Sequence, residues 1–289
     1  MRLNAAASSC VRPALAGPAQ PATWLGATPA ALYLRTAGRP GVLALLSHDA
    51  VRLPCALLLP TTTAELPLTS IMGPGGGALA GDAMIGDNSL KWTGPAGPVI
   101  VRAVREWAPP IVHARPVSAE RLGVLQDALP APAALEIDGA LLTLLTTEPG
   151  AAVAQLLGRG PGLTPAGDDV LAGFLVGARA FGVDAAPLRA AVAALAPGRT
   201  TALSAALLWH AARGECIDEV ADVVADLCGP AGLTGPGLAG HGQDGLALGR
   251  LLTIGHTSGG ALASGLAAAA EAAVRAAPAM ITGTGEGAA

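Results

Sequence analysis

Residues 158–181 read GRGPGLTPAGDDVLAGFLVGARAF, and this stretch decides the fold of the C-terminal half. A glycine-rich loop leads to Thr164 and Pro165, a pair typical of a helix start, with threonine as the N-cap and proline at the first helical position. The residues that follow, 167–181, are mostly apolar or small. Because a helix that is apolar on more than one face must be buried, the stretch predicts a helix packed among other helices.

Similar alanine-rich patterns surround this helix. Residues 117–129 predict a helix that begins with a capping residue type at Ser118. Residues 134–145 are ambiguous between a helix and a hairpin, since Asp138 and Gly139 would suit a hairpin turn. The clearer helices are predicted over residues 151–157, 187–195, 201–212, 217–227, 245–252 and 258–276.

The N-terminal part has residue patterns typical of strands. Residues 31–36 and 42–46 flank a Gly-Pro turn and predict two strands, and residues 51–59 and 98–104 predict further ones. The sequence therefore predicts an α+β fold with a small β-rich N-terminal domain and an alanine-rich, mostly α-helical C-terminal domain. The expected organisation is a disordered start over 1–20, the β-rich domain over 21–115, the helical domain over 116–277 and a disordered tail over 278–289.

Composition excludes several classes of function. Of the 289 residues 52% are apolar but only 2% aromatic, so the core must consist of alanine, leucine and valine. A net charge of −4 without a basic run makes nucleic acid an unsuitable partner. No run of bulky apolar residues is long enough for a transmembrane helix. The four cysteines are scattered without zinc-site spacing, which favours reduced thiols in a cytoplasmic protein. We expect no cofactor.

Polar residues concentrate in three segments at predicted helix starts. The first contains Arg159, Thr164, Asp168 and Asp169. Adjacent helix positions lie about 100° apart, so we expect one carboxylate, Asp169, to face a cleft and the other to meet the helix dipole, neighbouring helix ends or solvent. The pair could also hold Mg²⁺, although no third carboxylate is obviously placed. The structural alternative is a cap with two dipole-complementing carboxylates.

The second segment contains Arg199, Thr200, Thr201 and Ser204, which together could form an anion pocket of amides, hydroxyls and a guanidinium. A simple cap beside a solvated arginine is the alternative. In the third segment, His256 adds a titratable group to a turn of small residues. We expect the three segments to converge on one pocket for a small anionic substrate. The candidate catalytic residues are Asp168, Asp169 and His256, and the candidate anion-binding residues are Arg159, Thr164, Arg199, Thr200, Thr201, Ser204, Thr257 and Ser258.

The strings GRGPGLTPAGDDVLAGFL, RTTALSAALLWHAARGE and IGHTSGGALASG closely resemble the family of the AllH-type subunit of oxamate carbamoyltransferase. The resemblance covers residues 155–270 well and the N-terminal half only loosely. It implies a multi-subunit enzyme with AllG-like and FdrA-like partners that converts oxalurate and phosphate to oxamate and carbamoyl phosphate. The family often has serine at the position of Ala166 and aspartate at that of Ala261, so the resemblance leaves the identity of the substrate open. A non-catalytic assembly subunit and a metal-dependent hydrolase that uses the Asp pair are the alternatives.

Overall fold

Eight strands in the N-terminal part of the chain close into a barrel, in a computed structural model that describes residues 1–72, 83–129, 137, 139–229 and 246–277. The strand order is β1-β5-β4-β3-β2-β6-β7-β8, and a parallel pairing of β1 with β8 closes the barrel. The strands are β1 (Arg2–Ser8), β2 (Gln20–Thr28), β3 (Ala31–Arg35), β4 (Val42–Leu46), β5 (Ala56–Leu58), β6 (Ala83–Gly86), β7 (Ser89–Gly94) and β8 (Gly97–Trp107).

The predicted N-terminal architecture is wrong, because the region is a closed barrel whose first strand lies in the segment expected to be disordered. Strand β1 pairs with β5 on one side and with β8 on the other. Two of its three alanines, Ala5 and Ala7, are buried, although alanine has little intrinsic preference for strands. The hydrogen bonds to two neighbouring strands come from barrel closure, which local sequence does not reveal. A short helix, α1 (Arg12–Ala16), follows and buries Leu15.

Strand β4 is the point at which the barrel meets the rest of the chain. All five of its residues are buried, since one face points into the barrel and the other is covered. Leu203 and Ala206, which belong to the helical part, join the apolar cluster of the barrel. This contact places the start of a helix against the outside of the sheet.

Nine helices occupy the described C-terminal residues. They are α2 (Ala119–Ala128), α3 (Gly139–Thr147), α4 (Pro149–Leu156), α5 (Ala166–Phe181), α6 (Ala186–Arg199), α7 (Ala202–Ala211), α8 (Asp218–Cys228), α9 (Leu246–Leu252) and α10 (Ser258–Ala276). Ser118 caps α2 as predicted, accepting a hydrogen bond from the backbone of Arg121. The ambiguous stretch contains α3, but Asp138 of the expected hairpin turn lies outside the described residues. The tail over 278–289 lies outside them too.

Helix α5 is the centre of the helical part, and every one of its residues except Arg179 is buried. It packs against α10 at very short range. A Cβ atom at Gly173 would collide with the carbonyl group of Leu262, and one at Gly265 would collide with that of Val170. The two glycines therefore allow the backbones to approach more closely than any larger side chain would permit. None of the helices among the described residues has the length and apolar character needed to cross a bilayer.

Candidate functional site

A cavity of about 430 Å³ lies between the barrel and the helices, and we call it the seam cavity. Most of its wall is apolar. The described lining residues include three carboxylates, Asp49, Asp169 and Glu215, but no arginine, lysine or histidine. The polar part of the wall also includes Thr28, Tyr33, Thr164 and Ser258.

Each of the three polar segments contributes at least one residue to the wall of this cavity, and side-chain hydrogen bonds join the segments. The hydroxyl groups of Thr164 and Ser258 lie 3.2 Å apart and join the first segment to the third. The hydroxyl of Thr201 donates to the carbonyl of Leu163 at 2.5 Å and joins the first segment to the second. The starts of α5, α7 and α10 are therefore held together by side-chain hydrogen bonds.

Asp169 provides the buried acid of the seam cavity. It lies in the first turn of α5 with only 7% of its surface exposed. Its Oδ2 atom is buried and has no hydrogen-bond partner among the residues that the structure describes. The pKa of Asp169 is raised to about 8, chiefly by burial. A hydrogen bond from Ser258 acts to lower this pKa, whereas the neighbouring charge of Asp168 acts to raise it. At neutral pH this side chain is mainly a neutral carboxylic acid, able to donate a hydrogen bond or a proton.

Asp168 has a different environment, although it is the preceding residue. Its Oδ1 atom accepts a hydrogen bond of 2.8 Å from the backbone amide of Gly158, and its Oδ2 atom accepts one from the hydroxyl of Thr200. Burial raises the pKa of Asp168, while these hydrogen bonds act in the opposite direction. The Asp168 carboxylate thus links the glycine-rich loop to the end of α6 through hydrogen bonds, and it does not line the cavity.

The caps of these helices differ in part from the prediction. Thr201 caps α7 as expected, accepting a hydrogen bond of 3.0 Å from the amide of Ser204. Thr164 does not cap α5: the helix begins at Ala166 with Pro165 in the cap position and no side-chain capping bond. Thr257 occupies the cap position of α10 and likewise makes no capping bond. The hydroxyl of Thr164 is therefore available to Ser258 and to the cavity.

Several predicted site residues lie outside the cavity wall. Arg199 is exposed and donates to the carbonyl of Ala154 at 3.0 Å. Arg159 and His256 are exposed too, and His256 directly follows Gly255, which lines the wall. Ser204 is buried, and its hydroxyl lies 3.4 Å from the carbonyl of Leu163. The structure thus brings Thr164, Asp169 and Ser258 to the cavity wall, and the remaining candidates do not line it.

Three cavity residues were missed from the sequence: Tyr33, Asp49 and Glu215. Burial raises the pKa of Tyr33, the single tyrosine of the chain. Burial also opposes ionisation of Glu215, but hydrogen bonds from His210 and Arg213 outweigh it and lower the pKa of Glu215. Tyr33 and Asp49 belong to the barrel, more than 100 positions from the helical motifs. The rarity of aromatic residues draws attention to Tyr33, but it does not indicate which side of the barrel the tyrosine faces.

The comparisons with known proteins concern the region that contains these segments. Residues 156–270 match the sequence model of a protein family described as oxamate carbamoyltransferase subunit AllH. The match runs from the end of α4 into α10, so it contains all three segments, and it confirms the resemblance drawn from their motifs. No curated protein and no solved structure matches the chain.

Proposed function

We propose that this chain is a subunit of a carbamoyltransferase that cleaves oxalurate with phosphate, giving oxamate and carbamoyl phosphate. The family match over residues 156–270 supports the enzyme class. The observation that carries the assignment of the seam cavity is Asp169, a buried carboxyl group whose pKa of about 8 keeps it mainly protonated at neutral pH. A neutral acid in a largely apolar cavity suits a reaction whose leaving group needs a proton.

The chemistry requires one bond to form and one to break. A phosphate oxygen attacks the carbamoyl carbon, and the bond from that carbon to the amide nitrogen of the oxamate portion breaks. That nitrogen must gain a proton to leave as oxamate, and Asp169 is the group that supplies it. Negative charge develops on the carbamoyl oxygen during the attack, and we assign the hydroxyls of Thr164 and Ser258, which line the cavity, as its hydrogen-bond donors.

The charge of the wall indicates how the substrate must lie. Oxalurate and phosphate are anions, whereas the described wall contains the ionised carboxylates of Asp49 and Glu215, the neutral acid Asp169 and no basic side chain. An anion placed wholly inside would be repelled, so the uncharged carbamoyl end enters the cavity and the anionic groups stay at its mouth. Arg159 and Arg199, which are exposed, and the AllG-like and FdrA-like partner subunits then supply the positive charge. This division explains why the chain would need partners for activity.

An assay of the assembled complex tests the proposal. The chain is purified with its partner subunits, and oxamate release from oxalurate is measured with and without phosphate, together with carbamoyl phosphate formation when phosphate is present. Asp169→Asn should lower the rate at least about 10²-fold, the usual scale for a positioned acid. Asp127→Asn changes an exposed aspartate of α2 in the same way and should leave the rate unchanged. Full activity of the Asp169 variant would show that the cavity does not supply the acid, and phosphate-independent turnover would exclude a carbamoyl transfer to phosphate.

A further inference from the structure

A second group of reactive side chains lies where the barrel meets α7. Cys10 follows β1 in the turn before α1, His210 is in the last turn of α7, and Glu215 lies in the loop after that helix. The Cys10 sulfur, a ring nitrogen of His210 and a carboxylate oxygen of Glu215 all lie within 4.8 Å of one another. We propose that these three residues bind a divalent transition-metal ion of the zinc type, which links the barrel to the helical part.

His210 shows that the group is more than a surface cluster. Its side chain is 1% exposed, and its Nδ1 atom lies 2.6 Å from the Oε2 atom of Glu215. Its other ring nitrogen, Nε2, is buried without a hydrogen-bond partner in the described part of the chain. Neutral imidazole is the commonest protein ligand for metals, and Nδ1 is the ring nitrogen on the side of Glu215. An ion between the two side chains would replace the hydrogen bond that now joins them.

Glu215 is buried and hydrogen-bonded from behind, as metal-ligating carboxylates commonly are. It is 7% exposed, and its Oε1 atom accepts a hydrogen bond of 3.1 Å from Arg213. Such an outer contact fixes the orientation of the carboxylate. The loop is fixed as well, because the backbone amide of Glu215 donates to the carbonyl of His210 and a β-bridge joins Glu215 to Ile111. The carboxylate and imidazole are thus held beside each other before any ion binds.

The ligand set indicates the kind of ion. Sulfur, nitrogen and oxygen donors together suit zinc, whereas magnesium and calcium prefer oxygen alone. Ligands of a tetrahedral zinc ion lie roughly 3.3–3.6 Å apart, given bond lengths of about 2.0–2.3 Å. On binding an ion, the longer separations, of up to 4.8 Å, would shorten and the 2.6 Å contact of His210 with Glu215 would lengthen, both by side-chain movements. Three protein ligands leave one coordination position for water or a substrate oxygen, as in catalytic zinc sites.

The position of the site also matters for the seam cavity, because Glu215 belongs to both. A divalent cation there would add positive charge to a wall that otherwise has only carboxylates among its described charged groups. The metal site itself does not depend on the proposed carbamoyl transfer. Its test therefore uses binding measurements on the chain alone and requires no enzyme activity.

Cobalt titration of the untagged, chelator-treated chain provides the test. One equivalent of Co²⁺ should bind and give the near-ultraviolet charge-transfer band of a cobalt–thiolate bond, and Zn²⁺ should displace it. Cys10→Ser should abolish that band, and Glu215→Gln should weaken binding by at least tenfold. Cys228→Ser, which changes another partly buried free thiol, should retain the band.

Stability supplies a second readout for the same variants. Saturating Zn²⁺ should raise the Tm of the wild-type chain by several degrees and that of Cys10→Ser by much less, because binding to the folded state alone stabilises it. Cys10 is only partly buried, so the serine variant is expected to fold, which circular dichroism verifies. Absence of stoichiometric Co²⁺ binding by the folded wild-type chain would overturn the proposal. So would a thiolate band that survives in Cys10→Ser.

Discussion

Asp168 and Asp169 are consecutive residues of α5, yet only the carboxylate of Asp169 reaches the seam cavity. Asp168 accepts hydrogen bonds from Gly158 and Thr200, whereas Asp169 has a buried oxygen without a partner among the described residues. The roughly 100° turn between adjacent helix positions produces this difference. One carboxylate therefore holds the loop, and the other is available for chemistry.

The loop-holding carboxylate should contribute to stability. Asp168→Ala removes the acceptor for the Gly158 amide and for the Thr200 hydroxyl and should lower the free energy of unfolding by about 1–3 kcal/mol. Chemical denaturation monitored by circular dichroism measures the change. Asp127→Ala, an exposed change in α2, is the matched control and should stay within about 0.5 kcal/mol. Equal stabilities of the two variants would contradict the structural role of Asp168.

The pKa of Asp169 predicts a pH dependence of stability. Its folded-state pKa of about 8 lies above the ordinary value of 3.8, so the folded chain holds a proton that the unfolded chain has lost. The stabilisation from that proton is complete below pH 3.8, decreases as the pH rises and is lost above pH 8. Asp169→Asn imitates the protonated acid and has no proton to lose.

The variant should therefore become more stable relative to wild type as the pH rises. Each unit of pKa difference corresponds to about 1.4 kcal/mol, so the advantage at pH 9 over that at pH 5 should reach a few kcal/mol. Thermal melts of both proteins at these two pH values measure it. Parallel pH profiles would mean that the Asp169 carboxylate ionises as freely as an exposed one.

The sequence allowed helices of the C-terminal half to be predicted because their signals are local. A capping residue such as Thr201 and a polar pair in an apolar helix, Asp168 and Asp169, both lie within a few residues of the structure that they form. The convergence of the three segments followed from the scarcity of polar residues in that half. The sequence could not indicate which hydroxyls hold the segments together. Thr201 and Ser204 both contact the backbone carbonyl of Leu163, and no sequence pattern identifies that carbonyl as their acceptor.

The barrel was not predictable in the same way. Strand β1 lacks the apolar alternation of a typical half-buried strand, and its pairing with β8 joins Arg2 to Ile100. Such a pairing depends on closure of the whole sheet. The sequence did not reveal the group of Cys10, His210 and Glu215 either, because these residues do not have the spacing typical of a metal site.

The packing of α5 against α10 predicts that one glycine cannot be replaced. Gly173→Ala places a methyl group against the backbone carbonyl of Leu262 and should destabilise the protein by about 1–3 kcal/mol, the usual cost of overpacking. Gly123→Ala in α2 meets open space and should be neutral or stabilise by up to about 1 kcal/mol, since alanine favours helices. Urea denaturation compares them. A neutral effect at Gly173 would show that the helices are further apart.

The bond between Thr164 and Ser258 predicts coupling between residues 94 positions apart. Removing either hydroxyl, by Thr164→Val or Ser258→Ala, breaks the same 3.2 Å contact, so the double variant should lose less stability than the sum of the single changes. The expected coupling is about 0.5–1.5 kcal/mol, the net contribution of one hydrogen bond. Urea denaturation of the four proteins measures it.

A second cycle controls for general loosening of the fold. Ser89→Ala removes a hydroxyl in the barrel that donates to the carbonyl of Gly86, whereas Thr164 bonds to Ser258 at the helix starts. Its effect should add to that of Thr164→Val within about 0.5 kcal/mol. Additivity in both cycles would mean that the starts of α5 and α10 do not touch through these hydroxyls. Coupling in the first cycle alone would establish that the two helix starts form one wall of the seam cavity.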